Sequence, residues 1–307
     1  MLGATRSTLA EGALVEMGWW SGRRRLGVLS DRERNALRAV VRSARYELIP
    51  LNSVRDKAGA LPVGSTVTVT ASPTHGIEAT LLLAEWLSSR GHAVIPHLSA
   101  HMIRDRAHLA DLLARARAAG LREAFVVGGD AREHTEFRDG LALLQAMQEI
   151  GHPFDRIGVP AYPEGHADIP TDVLLRALKA KQHSAHSMTT QMSFNPTAVS
   201  AWIGQMRAEG VRLTVHLGVP GVTELSKLMK IAARIGVADS ARYLKKNRQM
   251  VGHLINPGSF GPEAFLLALA GTIADPMADV GGVHLFTFNQ VEETAAWQQR
   301  MEAHLQE

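Results

Sequence analysis

Glu47 is the residue whose type and position most directly suggest chemistry in this sequence. It stands in an apolar run, with Tyr46, Leu48 and Ile49 around it. Buried glutamates are rare unless they are paired or used, and desolvation favours the neutral form of a carboxyl. We therefore expect Glu47 to hold a proton near neutral pH and to take part in proton transfer.

Polar residues also stand near the ends of the other β-rich runs. They are Thr70 and Ser72, His97, Gly128–Gly129–Asp130, Tyr162–His166, Thr190–Gln191, and Thr287 with Asn289. A buried polar group without a partner costs about 1–3 kcal/mol, so a polar residue at nearly every run indicates a site. Taken singly, His97 is equally consistent with a core histidine, Gly128–Gly129 with a tight turn and Tyr162 with packing.

The elements that must position these residues alternate between β-rich runs and helical segments. The eight runs are Ala44–Pro50, Thr66–Ala71, Ala93–Leu98, Ala124–Gly128, Arg156–Ala161, Ser187–Met192, Arg212–Gly218 and Val283–Asn289. This alternation predicts an α/β protein with a parallel (β/α)8 barrel, whose active site lies at the carboxyl ends of the strands. The alternative is a doubly wound open sheet, but Leu48–Asn52 is not the glycine-rich turn typical of that fold.

The helical segments have recognisable faces and caps. In Ile103–Ala119 the apolar residues recur along one face and Gly120 ends the pattern. Asn195–Pro196 is a cap followed by proline at the first helical position. Pro262–Ala274 is apolar almost all round and is expected to be one buried helix, and Ala238–Gly258 is expected to add a helix before the last strand.

The composition limits the class of protein. The chain has 307 residues, 46% of them hydrophobic and 21% charged, with a net charge of +3 and no cysteine. The small charge favours neither nucleic acid nor a membrane surface, and no apolar run reaches the roughly 20 residues that span a bilayer. Absence of cysteine excludes thiolate metal sites, and no histidine–carboxylate spacing matches a zinc helix, so we expect a cytoplasmic protein without a metal.

Two regions are expected along the chain. Residues 1–43 are interpreted as an N-terminal extension, with a basic loop at Ser21–Gly27 and a charged helix at Asp31–Arg45. Residues 44–307 are interpreted as the barrel. The oligomeric state stays open.

From Arg45 onward the chain resembles the methylenetetrahydrofolate reductase family. The matching segments are Tyr46–Pro50 (YELIP), Pro96–Ser99 (PHLS), Gly129–Asp130, Ala161–His166 (AYPEGH), Thr189–Gln191 (TTQ), Gly218–Pro220 (GVP) and Phe286–Asn289 (FTFN). AYPEGH is the most specific of them, and together, in order, they form a strong pattern. The resemblance implies a (β/α)8 barrel, in agreement with the strand count.

The resemblance also implies roles. Glu47 matches the general acid, Asp130 an aspartate beside the pterin and the redox centre, and Gln191 a glutamine that contacts the folate ring and the nicotinamide. Thr287 and Gln290 fall near the folate. The positions that match the flavin site are Thr70, His97, Gly129, Asp130, Tyr162, His166 and Lys181.

The implied reaction gives these residue types a reason. Protonation of N10 opens the five-membered ring of 5,10-methylene-tetrahydrofolate to an N5 iminium, and a hydride from NADH or NADPH then gives the 5-methyl product. An ionised aspartate favours the cationic iminium, and a glutamine can both donate to and accept from the pterin edge. A cell that degrades methylated compounds would run the same reaction backwards.

Several flavin positions depart from the family pattern. Gly128 replaces an arginine that helps to hold the flavin, and Gln290 replaces an arginine near the folate. A usual tyrosine appears as Glu136 or Phe137, and an Ala-Gly-Ala turn as Ser184–His186. We therefore expect FAD either to be held weakly or to be absent, in which case hydride passes directly from the nicotinamide to the folate.

Two other functions fit a barrel with such a site. One is another one-carbon enzyme, such as a pterin-dependent methyltransferase, although the absence of cysteine argues against zinc-activated methyl transfer. The other is a non-catalytic barrel that binds folate or a nucleotide, which would not need the carboxyl of Glu47.

Overall fold

The protein folds around a closed barrel of eight parallel strands. The computed structural model describes residues 29–129, 135–234 and 259–306. The strands are β1 (Arg45–Leu48), β2 (Thr66–Val69), β3 (Ala93–Ser99), β4 (Glu123–Val127), β5 (Arg156–Ala161), β6 (Ser187–Thr190), β7 (Thr214–Pro220) and β10 (Val280–Phe286). Each pairs with its neighbours in chain order, and β10 closes the barrel on β1. The predicted (β/α)8 barrel is confirmed, and the open sheet is wrong.

Helices connect the strands and pack outside them. They are α1 (Asp31–Arg42), α2 (Val54–Ala58), α3 (Gly76–Ser88), α4 (Arg106–Ala118), α5 (Gly140–Ile150), α6 (Thr171–Lys181), α7 (Pro196–Ala208), α8 (Leu225–Arg234), α9 (Glu263–Ala268), α10 (Ala270–Ala274) and α11 (Val291–His304). Two short strands, β8 (Thr223–Glu224) and β9 (Ser259–Phe260), form a separate antiparallel pair.

Side-chain caps start several of these helices. Ser30 and Glu33 form a capping box at α1, and the side chain of Asn195 accepts a hydrogen bond from Ala198 N at α7. Such caps satisfy amide groups that have no partner within the helix. The cap at Asn195 was predicted from the sequence, whereas the capping box at Ser30 was not. The predicted helix Asp31–Arg45 is present but ends three residues earlier.

The structure corrects two of the predicted elements. The run Pro262–Ala274 is two helices, α9 and α10, separated at Leu269. The last barrel strand begins and ends three residues before the predicted Val283–Asn289, because Phe288 and Asn289 take the left-handed backbone conformation, with φ of 50° and 60°. The segments 21–27 and 238–258 lie outside the residues that the structure describes.

Ion pairs join the amino ends of three barrel strands. Arg45 begins β1 and lies 3.1 Å from Glu123 at the start of β4, which is also 2.7 Å from Arg156 at the start of β5. We call these three residues the barrel floor. Above the floor, the ring of Phe125 on β4 lies close to Gly158 on β5. A Cβ added at position 158 would lie only 2.8 Å from this ring.

Tyr46 fixes the orientation of β1. Its side chain is 1% exposed and points away from the barrel axis, where its hydroxyl donates to Gln298 Oε1 on α11. Gln298 Nε2 in turn donates to Val41 O at the end of α1, at 2.7 Å. Because side chains alternate along a strand, anchoring Tyr46 outside the barrel directs Glu47 inside.

Candidate active site

The carboxyl ends of the strands surround a cavity of about 260 Å³. Among the predicted site residues, its walls contain Glu47, Thr70, His97, Gly129, Tyr162 and Gln191. They come from six different strands or the loops that follow them. Residues distant in the sequence thus meet at the end of the barrel where catalytic groups of this fold are found.

Glu47 is paired inside this cavity. Its Oε2 lies 2.9 Å from Nε2 of His284 on β10, and the two side chains are 12% and 3% exposed. Thr287 donates from its hydroxyl to the main-chain oxygen of Glu47 at 2.5 Å. Both the carboxylate and the backbone of Glu47 are therefore held by the last barrel strand and the turn after it.

His97 is a neutral group next to this pair. Its ring packs on Phe125 with the centroids 4.7 Å apart and lies 6.4 Å from the ring of His284. Burial lowers the pKa of His97 to about 4; the charge of Glu47 opposes this shift and that of His284 adds to it. Its Nε2 is buried without a hydrogen-bond partner among the described residues, so a bound molecule could use it.

Gln191 presents an amide to the cavity from the loop just beyond β6. Its main-chain NH donates to Ala161 O at 2.7 Å, and its side-chain Oε1 accepts from Met192 N at 2.8 Å. These bonds orient the side chain and leave its NH2 group as the donor on the cavity wall. The predicted strand extended through Met192, but β6 ends at Thr190.

Gly129 makes a close approach between β3 and β4. It has a φ of +94°, and a Cβ there would lie 2.0 Å from the hydroxyl of Ser99. At Gly128 a Cβ would meet nothing nearer than Gly140 N at 4.0 Å. The glycine is thus needed at 129, whereas position 128 has room for a side chain.

A second, smaller cavity of about 60 Å³ adjoins the first and shares Pro160 and Tyr162 with it. Lys181, at the end of α6, lines this second cavity rather than the first. Burial lowers the pKa of Lys181, and the charge of Asp139 partly offsets the shift. His166 packs edge-on against Tyr162, with centroids 5.2 Å apart.

Among the predicted site residues that the structure describes, four do not line the main cavity, namely Lys181 and His166, described above, and Thr287 and Gln290. Thr287 is fully buried and supports Glu47 instead. Gln290 precedes α11, where its main-chain oxygen accepts from Thr294, and Asp130 lies outside the described residues. Of the candidates for the missing tyrosine, Phe137 is in the core and Glu136 accepts from Arg106 N.

Two residues beside Glu47 are not among the predicted site residues. His284 lines the cavity, and it stands in the apolar run Val283–Phe286, so the argument that singles out Glu47 applies equally to it. Asn289, predicted only as a polar residue at a strand end, bonds to the main chain of Ile49.

Neither a metal site nor a membrane span is found in the described part of the chain. No group of three or more histidine and acidic side chains there could hold a metal ion. No helix there is long and apolar enough to cross a bilayer.

Fold and site together define a (β/α)8 barrel with a buried acid at the carboxyl end of its first strand. The family model for methylenetetrahydrofolate reductase matches residues 49–300, and the chain belongs to that family. This membership supports an oxidoreductase that acts on a folate.

The similar solved structures are distant in sequence. A structure of oxaloacetate acetylhydrolase with 3,3-difluorooxalacetate is 10% identical, with 90% of this chain and 87% of that chain covered and a TM-score of 0.47. Another structure of oxaloacetate acetylhydrolase is 8% identical, with 89% and 85% covered and a TM-score of 0.48. At these values neither likeness bears on function.

Proposed function

We propose that this protein transfers a hydride from NADH or NADPH to 5,10-methylene-tetrahydrofolate and releases 5-methyl-tetrahydrofolate. The observation that carries the proposal is Glu47, a carboxyl held by His284 in the wall of a 260 Å³ cavity at the catalytic end of the barrel. A mere folate-binding barrel does not need an acid in this position.

Glu47 supplies the proton that opens the substrate ring. The N10 lone pair takes the proton from the carboxyl, the N10–methylene bond breaks with its electron pair left on N10, and the N5 lone pair forms the C=N bond of the iminium. The methylene carbon, now part of an N5 iminium, takes a hydride and becomes a methyl group. One NAD(P)H and one proton are consumed, and NAD(P)⁺ is released.

Gln191 and Asp130 hold the pterin in this proposal. The NH2 group of Gln191 donates to an acceptor on the pterin edge, since its Oε1 is already engaged by Met192. Asp130 is assigned from the family match, and its carboxylate would favour the cationic iminium.

The residues implied for FAD fit a weakly held flavin. Thr70, His97 and Gly129 line the main cavity, while Lys181 lines the adjoining one and Tyr162 lines both. The unpartnered Nε2 of His97 offers a polar contact. When bound, FAD would relay the hydride between nicotinamide and folate. An arginine contact to phosphate contributes about 1.5–3 kcal/mol, and Gly128 cannot make one.

The deciding experiment measures NADH and NADPH oxidation with methylene-tetrahydrofolate, with and without added FAD. Activity of colourless protein without FAD, with both substrates required in one ternary complex, indicates direct transfer. No oxidation under either condition would reject the reductase, and folate binding without turnover would favour the non-catalytic barrel. Product-side assays with 5-methyl-tetrahydrofolate and NAD(P)⁺ test the reverse direction.

Gly128→Arg tests the flavin site separately. Because position 128 has open space around it, the added guanidinium is expected to tighten FAD binding about tenfold or more. Gly128→Gln is the matched control, with a long polar side chain but no charge. FAD that survives dialysis in the unmodified protein would contradict weak binding.

The expected compartment is the cytoplasm, on the grounds of the cysteine-free composition. Cell fractionation with an antibody against the protein tests this expectation.

A further inference from the structure

We propose that Glu164 is a positioning residue that holds Gln191 in place for the folate. It acts through Ser193 and does not itself line the main cavity. This inference rests on the proposed function, in which the NH2 group of Gln191 donates to the pterin edge. It adds to that function a second residue on which folate affinity depends.

Gln191 begins the short loop that joins β6 to α7. Strand β6 ends at Thr190 and α7 starts at Pro196, so the loop is the segment 191–195. Within it, Gln191 N donates to Ala161 O, and Gln191 Oε1 accepts from Met192 N. Because the side-chain bond is to the next residue, the direction of the NH2 group depends on what fixes the rest of the loop.

Glu164 fixes this loop from the side of β5. The hydroxyl of Ser193 donates to Glu164 Oε1, and Ser193 Oγ accepts from Asn195 N at 3.3 Å. Glu164 follows shortly after Ala161, the last residue of β5. The segment 161–164 therefore holds the loop at two points, through the main chain at Gln191 and through a side chain at Ser193.

Apolar packing holds the opposite side of the loop. Met192 and Phe194 are 2% and 3% exposed and pack in a cluster with Leu228 and Phe260. The rings of Phe194 and Phe260 meet edge-on, with centroids 5.7 Å apart. Alternate residues of the loop thus face the β5 side and the cluster, so loss of the bond to Glu164 would release one side of the loop next to Gln191.

The surroundings of Ser193 make its bond an effective constraint. Ser193 is 1% exposed, so water has little access to compete for its hydroxyl. A hydroxyl that donates to a carboxylate forms a shorter and stronger hydrogen bond than one between neutral groups, and a low local dielectric strengthens it further. The bond therefore restricts the loop more than an exposed pair would.

The binding test titrates 5-methyl-tetrahydrofolate, the proposed product, into variants of Glu164. Glu164→Ala removes the acceptor of Ser193, and we expect affinity to weaken about fivefold or more. Glu164→Gln keeps an acceptor of the same length and should bind within about twofold of the unmodified protein. Equal losses in the two variants would show that the charge matters and not the bond, and would overturn the inference.

Combination with Gln191→Leu tests whether Glu164 acts through Gln191. The double variant Glu164→Ala/Gln191→Leu should bind as Gln191→Leu does, within about twofold, because the loop then has no amide to position. Additive losses would mean that Glu164 acts independently of Gln191. In the reductase assay the folate KM should rise in Glu164→Ala, while kcat keeps the pH profile set by Glu47.

Glu33→Ala is the matched control. Glu33 makes the same kind of bond at the start of α1, where the hydroxyl of Ser30 donates to its Oε2 at 2.7 Å, outside the site. This variant should bind 5-methyl-tetrahydrofolate as the unmodified protein does. Weaker binding in both alanine variants would point to general damage and count against the proposal.

A readout that needs neither folate nor activity separates this inference from the proposed function. NMR of the glutamine side-chain amides follows Gln191, whose signal is identified by its absence from Gln191→Leu. We expect the signal to move or broaden in Glu164→Ala and to stay in place in Glu33→Ala. An unchanged signal in Glu164→Ala overturns the inference. A changed signal in a protein that neither binds folate nor oxidises NAD(P)H rejects the proposed function but keeps the positioning of Gln191.

Discussion

Asn289 is joined to the main chain of Ile49 by two hydrogen bonds. Its Oδ1 accepts from Ile49 N and its Nδ2 donates to Ile49 O, each at 2.9 Å. Together with Thr287, which contacts the main-chain oxygen of Glu47, it ties the end of β1 to the turn after β10. The position of Glu47 thus depends on the side-chain amide of Asn289, which belongs to neither strand.

Replacing Asn289 should affect stability and turnover together. Asn289→Ala leaves Ile49 N without its partner, at about 1–3 kcal/mol, and places alanine at a φ of 60°. Ile49 O loses one donor but keeps its hydrogen bond from Leu51 N at 2.7 Å. Asn289→Asp keeps the acceptor and should lose less. Both stability and kcat should decrease in the order Asn, Asp, Ala at this position. Urea unfolding and kcat measurements check this order, and equal stability of all three proteins would contradict it.

Glu47→Gln should stop proton donation while keeping a side chain of the same size. We expect kcat to fall by roughly 10²–10⁴ with folate affinity within a few-fold. Glu293→Gln, an exposed change on α11, serves as the control. Near-normal turnover of the Glu47 variant would remove its assignment as the acid.

Gln191→Leu should weaken folate binding. The pterin edge would lose its amide partner in a buried site, at roughly 1–3 kcal/mol, or about tenfold or more in affinity. Fluorescence or calorimetric titration with folate measures the change, with the exposed Gln299→Leu as control. Unchanged affinity would show that the proposed placement of the pterin is wrong.

Alanine at positions 129 and 128 should have opposite outcomes. Gly129→Ala forces a side chain into a left-handed conformation, at about 1–3 kcal/mol, and into contact with the hydroxyl of Ser99. Gly128→Ala meets open space and should be nearly neutral. Thermal or urea unfolding measures the stability of the two variants. Similar stability would refute the close approach at Gly129.

The buried neutral state of His97 should make the protein less stable in mild acid. Its pKa is lowered from 6.5 to about 4, so between these values the unfolded chain binds more protons than the folded one. The contribution of His97 to the free energy of unfolding is therefore complete above pH 6.5. It decreases as the pH falls towards 4, by up to about 3 kcal/mol in total.

His97→Gln tests this pH dependence. The variant should show a shallower fall in unfolding free energy between neutral and mildly acidic pH, by up to about 1.4 kcal/mol per pH unit. Burial lowers the pKa of His216 as well, so some slope should remain. Parallel curves for the two proteins would mean that His97 does not stay neutral in the fold.

The barrel and its acid could be predicted from the sequence because both rest on local patterns. Eight β-rich runs alternate with helices, and a glutamate in an apolar run is unusual whatever surrounds it. All eight strands and the cavity position of Glu47 follow from these signals.

What could not be predicted depends on contacts between distant residues. The Glu47–His284 pair joins positions 237 residues apart, and the floor joins Arg45 to Glu123 across 78. Lys181 is predicted at the flavin site together with residues of the main cavity, but it lines the adjoining one, since the packing of α6 against β5 is not encoded by local spacing. The break at Leu269 interrupts a segment whose apolar residues fit one helix equally well.

The ion-paired floor has a consequence for how ligands reach and leave the cavity. Arg45, Glu123 and Arg156 are tied together at the amino ends of β1, β4 and β5, at the opposite end of the barrel from the cavity. In the proposed reaction, folate and nicotinamide would therefore both enter from the carboxyl end. Sharing one route, they would bind and leave in a fixed order.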